Sequence, residues 1–425
     1  IKNGVLNLSS PSFTNRDDYL KRVKRAEPKA GDIIFTREAP MGEVCMIPEG
    51  LQCCLGQRQV LLRPKSSLCG EYLFWALQSP LVQHQISWNE GTGSTVSNVR
   101  IPVLKALNIP RQENEAEIAK VLSDIANKIE LNRQTNQTLE QIAQAMFKSW
   151  FVDFDPVRAK TAANAVGENA QRAAMVAISG KDYAALDQLE QQNPEQYQQL
   201  QATADLFPDN LIDSELGEIP EGWGITEIKE LSSKLSKGTT AAKKDLLKAG
   251  DEKIINFLKV RDISDDGEIS RVKLDKIPKS VHVGVLKRSI LEANDLLFSI
   301  AGTIGRVALV EEDLTNSNCN QAIAFIRLKE PEIHLELCYL NLVGKRVQDE
   351  VISKVVQGVQ ANFSLTGLGE IKLLIPSLKF LEYFNKVISD IHYKKKLLFR
   401  ENRALTDIRD TLLPRLLSGE LSIDT

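Results

Sequence analysis

The sequence is short of the residues from which active sites are usually assembled, and each shortage excludes a class of function. No two prolines are adjacent anywhere in the chain. That removes the Asn/Asp-Pro-Pro-aromatic loop that amino-methyltransferases close around a target base. No G-x-x-x-x-G-K-[ST] run occurs, so a P-loop for nucleotide phosphates is absent. The four histidines, His84, His282, His334 and His392, are scattered without ligand spacing, which argues against a metal centre or a triad. Six cysteines (45, 53, 54, 69, 319, 338) fall four in one half of the chain and two in the other, with no C-x-x-C pair. A zinc site needs paired ligand spacing and a disulfide framework needs matched partners, so the expectation is reduced, mostly buried thiols in a cytoplasmic protein. Carboxylates are plentiful, but none forms a convincing nuclease cluster. No run of eighteen apolar residues is present, so no membrane-spanning helix is expected.

What is present is a repeat. At an offset of 266 positions, Lys120, Val121, Ser123, Asp124, Ile125, Lys128, Asn136, Leu139 and Ile142 meet Lys386, Val387, Ser389, Asp390, Ile391, Lys394, Asn402, Leu405 and Ile408, all identical. Upstream, Lys29-Ala-Gly-Asp-Ile-Ile-Phe35 parallels Glu292-Ala-Asn-Asp-Leu-Leu-Phe298, and Gly42-Glu-Val44 parallels Gly305-Arg-Val307. A duplicated globular-plus-helix unit holds two sites at a fixed separation. The second copy has a longer lead before Asp295 than the first has before Asp32, and the chain starts at Ile1 rather than at a methionine. The first copy is therefore expected to be truncated at its N-terminus.

Residues 32–35, 44–47 and 59–62 read as strands and residues 70–77 and 81–86 as short helices, an α+β mixture. From residue 113 the texture changes. Ile118, Leu122, Ile125, Ile129, Asn132, Asn136, Leu139, Ala143 and Met146 recur at alternating spacings of four and three, the seam of a coiled coil. A helix over residues 117–150 would span about 50 Å, and residues 383–416 repeat it. Two such seams most simply pack antiparallel on each other. Lys395 and Arg409 fall on the second seam and call for an explanation. Asn136 and Asn402 occupy equivalent seam positions, where a buried amide fixes register or, at the stripe's edge, is simply solvated. Residues 161–206 are rich in Ala and Gln, with too few large apolar residues for a core, and are read as a connector, weakly helical or disordered.

Charge is unevenly spread. The formal net charge is −3, unlike most nucleic-acid binders. Residues 234–288 nonetheless carry fourteen Lys/Arg against eight Asp/Glu, and residues 161–215 carry nine acids against two bases. An acidic stretch masks a basic domain in the total.

Three stretches carry a family likeness: Leu139-Glu-Gln-Ile-Ala-Gln-Ala-Met-Phe-Lys-Ser-Trp-Phe-Val-Asp-Phe-Asp-Pro-Val157, Gly217-Glu-Ile-Pro-Glu-Gly-Trp223 and Leu412-Leu-Pro-Arg-Leu-Leu-Ser-Gly-Glu-Leu421. They resemble the central conserved region, the recognition-domain opening and the C-terminal conserved region of type I restriction–modification specificity subunits. The resemblance implies an α+β fold: two pseudo-symmetric target-recognition domains separated by two long helices forming an antiparallel coiled coil. The domains would be residues 1–112 (first recognition domain), 113–155 (central helical spacer), 156–216 (acidic connector), 217–380 (second recognition domain) and 381–425 (C-terminal spacer). It further implies a non-catalytic subunit that reads a bipartite, asymmetric site in double-stranded DNA, with no membrane association. Its partners would be two modification subunits and, through them, restriction subunits. No cofactor is expected on this chain; S-adenosylmethionine, ATP and Mg belong to the partners. Half-sites one helical turn apart lie roughly 35 Å from each other, a separation such a spacer can hold. The competing reading is a scaffold that spaces two protein-binding domains without touching DNA.

Sequence readout needs Arg, Asn or Gln on base edges and Lys or backbone amides on phosphates. Candidate DNA contacts are Lys237, Gly238, Thr239, Thr240, Lys243 and Lys244, in a loop expected to be flexible and similar to the family's Gly-Thr loop. Gln357, Gln360 and Asn362 form a second candidate group, and Thr92, Ser94, Asn98 and Arg100 their counterparts in the first copy. Each group is otherwise an ordinary solvated loop. Ala301-Gly-Thr-Ile-Gly-Arg306 reads as a turn rather than a cofactor cradle. Phe147, Trp150, Phe151 and Phe154 either dock the modification subunit or are buried against a neighbouring domain. Lys394-Lys-Lys396, with Arg400 and Arg403, tracks phosphates or is a solvated helix face.

Overall fold

The computed structural model describes residues 1, 4–6, 8, 11–88, 98–250, 252–357 and 362–423, the side chains of residues 248, 356 and 357 excepted. The chain divides into two units, residues 1–134 with 397–425, and residues 135–396.

In the first unit, β1 (Ile33–Thr36) lies between β2 (Val44–Met46) and β3 (Gln59–Leu62) in an antiparallel sheet. Side chains alternate across a strand, so Ile33, Phe35 and Val44 pack on one face against Leu77, Val82, Ile86 and Val99. Ile34, Cys45 and Ile47 fill the other. The short helices run Gly70–Gln78 and Pro80–Trp88. The first docks on the opening turns of a long helix, Glu115–Phe151, through Tyr72, Trp75 and Ala76 against Ile118, Ala119 and Leu122. Trp75 Nε1 donates to Ser123 Oγ (3.0 Å), and Tyr72 donates to the Pro110 carbonyl (2.9 Å). The final helix, Leu378–Ser418, ends in this unit, where Leu413, Leu416 and Leu417 join the same core. Asn132 meets Asn402 here, so residues 115–134 and 397–418 run antiparallel.

The second unit repeats that sheet and extends it. β7 (Ser232–Lys237), β10 (Leu296–Ser299), β11 (Val307–Leu309) and β13 (Ile323–Leu328) form the antiparallel order β11-β10-β13-β7. The first three correspond to β2-β1-β3. β8 (Lys253–Leu258), β9 (Asp275–Pro278) and β12 (Asn318–Cys319) make a second sheet, with β12 parallel to β8. β6 (Gly224–Glu227) pairs with β14 (Lys372–Ile375), and β4 (Leu211–Ser214) with β5 (Gly217–Pro220). Helices Pro331–Val343 and Lys345–Gln357 cover the β10 sheet through Cys338, Leu342, Val347 and Val351. Phe147 and Phe151 meet Phe384, and Trp150 meets Phe380, so residues 135–151 and 378–396 also run antiparallel.

Residues 161–206 take the helical alternative and, against expectation, build a core. They form four helices with their flanks, Asp155–Val166, Ala170–Ser179, Tyr183–Gln192 and Pro194–Ala204. Asn169, Asp182 and Asn193 cap three of them with side-chain oxygens, each cap contributing about 1 kcal/mol. Ala174, Met175, Leu186 and Ala204 make a small core with Tyr197 and Leu200. Small residues let these helices approach closely, so few large side chains suffice.

Candidate functional site

One frame occurs in both units. Asp32, ahead of β1, accepts from the Lys29 amide (2.8 Å) and from Arg63 Nε (2.8 Å) and Nη2 (2.6 Å). Asp295, ahead of β10, accepts likewise from the Glu292 amide (2.8 Å) and from Arg327 Nε (2.8 Å) and Nη2 (2.7 Å). Both carboxylates are buried, and a bidentate guanidinium satisfies each. The arginine beside Asp32 holds its carboxyl below the usual range, assisted by the Lys29 amide. The glycine turns after each strand match too. Gly42 and Gly305 have φ of 84° and 94°, and their carbonyls accept from Gln83 Nε2 (2.9 Å) and Gln348 Nε2 (3.0 Å). Residues 301–306 are thus the turn joining β10 to β11.

The candidate loop after β7 is pinned rather than flexible. Gly238 N donates to Ile323 O (2.9 Å) and Thr239 N to Cys319 O (3.1 Å). A Cβ on Gly238 would lie 2.2 Å from the Asn320 and Cys319 carbonyl oxygens, so only glycine lets the chain pass here. Thr240 donates to Gln321 Oε1, and Thr239 Oγ1 accepts from Arg288 Nε (3.1 Å) and Nη2 (3.0 Å). The threonine hydroxyls therefore already have protein partners. Lys237, Lys243 and Lys244 are exposed, the last two opening the helix Lys243–Lys248. Sequence reasoning missed Gln321 and Arg288, which the fold brings to this loop from 81 and 49 residues away. The signal available was the local excess of basic residues.

The second candidate loop is only partly described. Thr92, Ser94 and Gln360 lie outside the described residues, as does the side chain of Gln357. Asn98 and Asn362 stand at matching positions: Val99 N donates to Arg37 O (3.1 Å) just past β1, and Phe363 N to Ile300 O (2.9 Å) just past β10. Asn98 accepts from Arg37 Nη2 (3.0 Å) and donates to Glu38 Oε1 (2.7 Å), so its amide serves the loop itself. Asn362 and Arg100 are exposed.

The two seam asparagines differ. Asn402 accepts from Asn132 Nδ2 (2.9 Å) and donates to Ile129 O (3.3 Å). Asn136 is 1% exposed, and both polar atoms of its amide lack a partner among the described residues. Lys395 stays on the seam because it pairs with the half-buried Glu140. That burial removes Lys395 from any phosphate-tracking face; Lys394 is exposed, and Lys396 lies 3.9 Å from Glu311. Arg409 pairs with Asp410 (2.7 Å).

The expected docking role of Phe147, Trp150, Phe151 and Phe154 is corrected. All four are 4–6% exposed, in an aromatic core with Phe207, Trp223, Phe380 and Phe384. Ring centroids lie 4.8 Å apart for Phe151–Phe384 and 5.3 Å for Trp150–Phe207. Side chains this buried hold the unit together and present no contact surface.

Burial raises the thiols of Cys45 to about 11 and of Cys319 and Cys338 to about 12, which leaves them unreactive. Among the described residues no group of three or more His, Cys, Asp or Glu is placed to hold a metal ion. No helix among them is long and apolar enough to cross a membrane.

Comparison with known proteins gives consistent results. The family described as "Type I restriction modification DNA specificity domain" matches residues 1–141 and 220–396. The type I restriction enzyme HindI specificity subunit of Haemophilus influenzae is 31% identical, over 96% of this chain and 90% of that protein. The MjaIX specificity subunit of Methanocaldococcus jannaschii is 23% identical, over 94% of this chain and 79% of that protein. A crystal structure of the type I restriction–modification S subunit from M. genitalium covers 94% of this chain and 84% of that one. Its TM-score is 0.47 at 18% identity, too loose a likeness to carry argument.

Proposed function

We propose, since this chain belongs to the type I restriction–modification DNA specificity family, that it is the DNA sequence-reading subunit of such a complex and does no chemistry itself. Each α+β unit would read one half of a bipartite, asymmetric site in double-stranded DNA. The domain limits proposed are 1–112 and 217–380 for the recognition domains, 113–155 and 381–425 for the helical spacers and 156–216 for the connector. Two modification subunits carrying S-adenosylmethionine would methylate adenine where this chain directs them. Restriction subunits carrying ATP and Mg would join through them, in the cytoplasm.

The observation that carries this reading is the frame built twice: a buried Asp–Arg clasp and a glutamine-held glycine turn that fix the loops around each sheet. Rigid strands presenting polar loops suit base readout, which requires donors placed in advance. In the second domain the exposed Lys237, Lys243 and Lys244 suit phosphates and Asn362 suits a base edge, whereas Gly238 and Thr240 shape the loop. In the first domain Arg100 is the exposed candidate and Asn98 a positioning one. Asn402, through Asn132, would set spacer register.

Footprinting of the assembled complex on random-sequence duplexes tests this. Protection of specific bases in two separated blocks is expected. Protection absent, or independent of sequence, would favour a scaffold without DNA contact.

A further inference from the structure

We propose that Arg288 reads a guanine in the half-site taken by the second recognition domain, with Thr239 as its positioning residue; this rests on the DNA-reading function above. Of the arginines between residues 217 and 380, Arg261, Arg271, Arg306, Arg327 and Arg346 each lie within 4 Å of a carboxylate. Arg288, which is exposed, has no carboxylate partner among the described residues. Its two contacts are to one neutral hydroxyl, Thr239 Oγ1, at 3.1 Å from Nε and 3.0 Å from Nη2. A hydroxyl fixes the guanidinium plane without neutralising its charge.

The geometry also leaves the right donors available. Thr239 uses the side fork, Nε–H with one Nη2–H. The end fork, Nη1–H with the other Nη2–H, remains, and it matches the O6/N7 edge of guanine.

Both ends of the contact are held. Thr239 is tied by its amide to Cys319 O (3.1 Å), behind the glycine that admits no side chain. At the root of Arg288, buried Asn318 donates to Leu286 O (3.1 Å) and Ser289 O (3.0 Å), and its Oδ1 lies 2.6 Å from His282 Nδ1. Less rotamer freedom is then lost on binding. The repeat adds an independent observation: residues 24–46 align with 287–309 without a gap, which sets Lys24-Arg25 opposite Lys287-Arg288.

The test is methylation mapping in cells that co-express the chain with its modification subunit, first as wild type and then as Arg288→Lys, Arg288→Ala and Thr239→Val. The surface-borne arginine can be replaced without opening a core, and methylation retained at the other half-site reports a folded complex. Expected is relaxation at a single guanine of one half-site, with discrimination there falling by roughly 5- to 150-fold, while the other half-site is unchanged. Arg288→Lys should relax the same position because lysine lacks the fork, and Thr239→Val should relax it partially. Two outcomes overturn the assignment: an unchanged motif in Arg288→Ala, or methylation lowered uniformly across sequences with no position relaxed, which would make Arg288 a phosphate contact. If the wild-type complex reads no split motif, the DNA-reading function itself falls, and this assignment with it.

Discussion

Asn136 and Asn402 stand at the same position of the repeat, yet replacement by leucine should move local stability in opposite directions. Asn402 is paired: its Oδ1 takes a hydrogen from Asn132 (2.9 Å), and its Nδ2 reaches the Ile129 carbonyl at a longer 3.3 Å. Asn402→Leu removes both bonds and strands one Asn132 N–H; the other still reaches Glu401 Oε2 (2.9 Å). Leaving a buried donor unpaired costs about 1–3 kcal/mol, against which burial of leucine returns up to about 1.5–3 kcal/mol. Asn402 is already 8% exposed and its neighbourhood is polar, so a net loss of about 1 kcal/mol is expected. Asn136 has no bonds to lose among the described residues. Asn136→Leu removes an unpaired buried amide, worth about 1–3 kcal/mol, and adds apolar burial. A net gain of about 1–3 kcal/mol follows, after a discount for imperfect fit. The assay is hydrogen exchange of peptides spanning each site, since a two-unit chain does not license one global free energy. Exchange around residue 136 should slow by roughly 5- to 150-fold, and exchange around residue 402 should quicken by about fivefold. Faster exchange in Asn136→Leu would refute the reasoning and would mean that this amide is satisfied, for instance by water.

Three further outcomes follow from the same geometry. Glu140→Gln should destabilise the second unit by about 3–5 kcal/mol by stranding the buried Lys395 ammonium; Glu140→Leu with Lys395→Met should recover most of it, and thermal melts of the single and double variants decide. Gly238→Ala should displace the loop after β7, because its Cβ would sit 2.2 Å from two carbonyl oxygens; loss of DNA protection with unaltered helical circular dichroism is the expected pattern, and full protection would contradict it. Asp32, held low chiefly by Arg63, has a depressed folded value, so its stabilisation is complete above the ordinary carboxylate value of about 3.9 and is lost as pH falls through the lower folded value. The melting difference between wild type and Asp32→Asn should hold steady from pH 7 to about 5 and narrow only in acid.

Much of the fold was legible because its signals are local. Short apolar runs punctuated by Gly and Pro place strands at residues 32–35, 44–47 and 59–62, which the structure has at Ile33–Thr36, Val44–Met46 and Gln59–Leu62. The 3.5-residue seam placed a helix at residues 117–150, observed as Glu115–Phe151. Lys395, anomalous on the seam by polarity, finds its explanation in Glu140, which the other helix brings in from 255 positions away. Of the two alternatives for the aromatic run at residues 147–154, burial is the one observed. Its burying partners Phe207, Trp223 and Phe380 are remote in sequence, so pattern alone left docking open. Of the connector, the helical alternative holds and the expected lack of a core does not, because capping asparagines, an aspartate and small side chains, rather than large apolar residues, define its helices. Glycine and hydroxyl content point to flexibility in the candidate loop, whereas tertiary contacts to residues 319–323 fix it. Register slips between the repeats, 263 positions at Asp32 and Asp295 but 266 along the helices, hid the match of Asn98 with Asn362.

The measurement that bears most directly on the central claim is adenine-methylation mapping by single-molecule sequencing, with the modification subunit expressed alone and together with this chain. One split motif with a fixed gap, methylated only when the chain is present, is the expected result. Methylation that is the same without the chain would contradict a sequence-reading role.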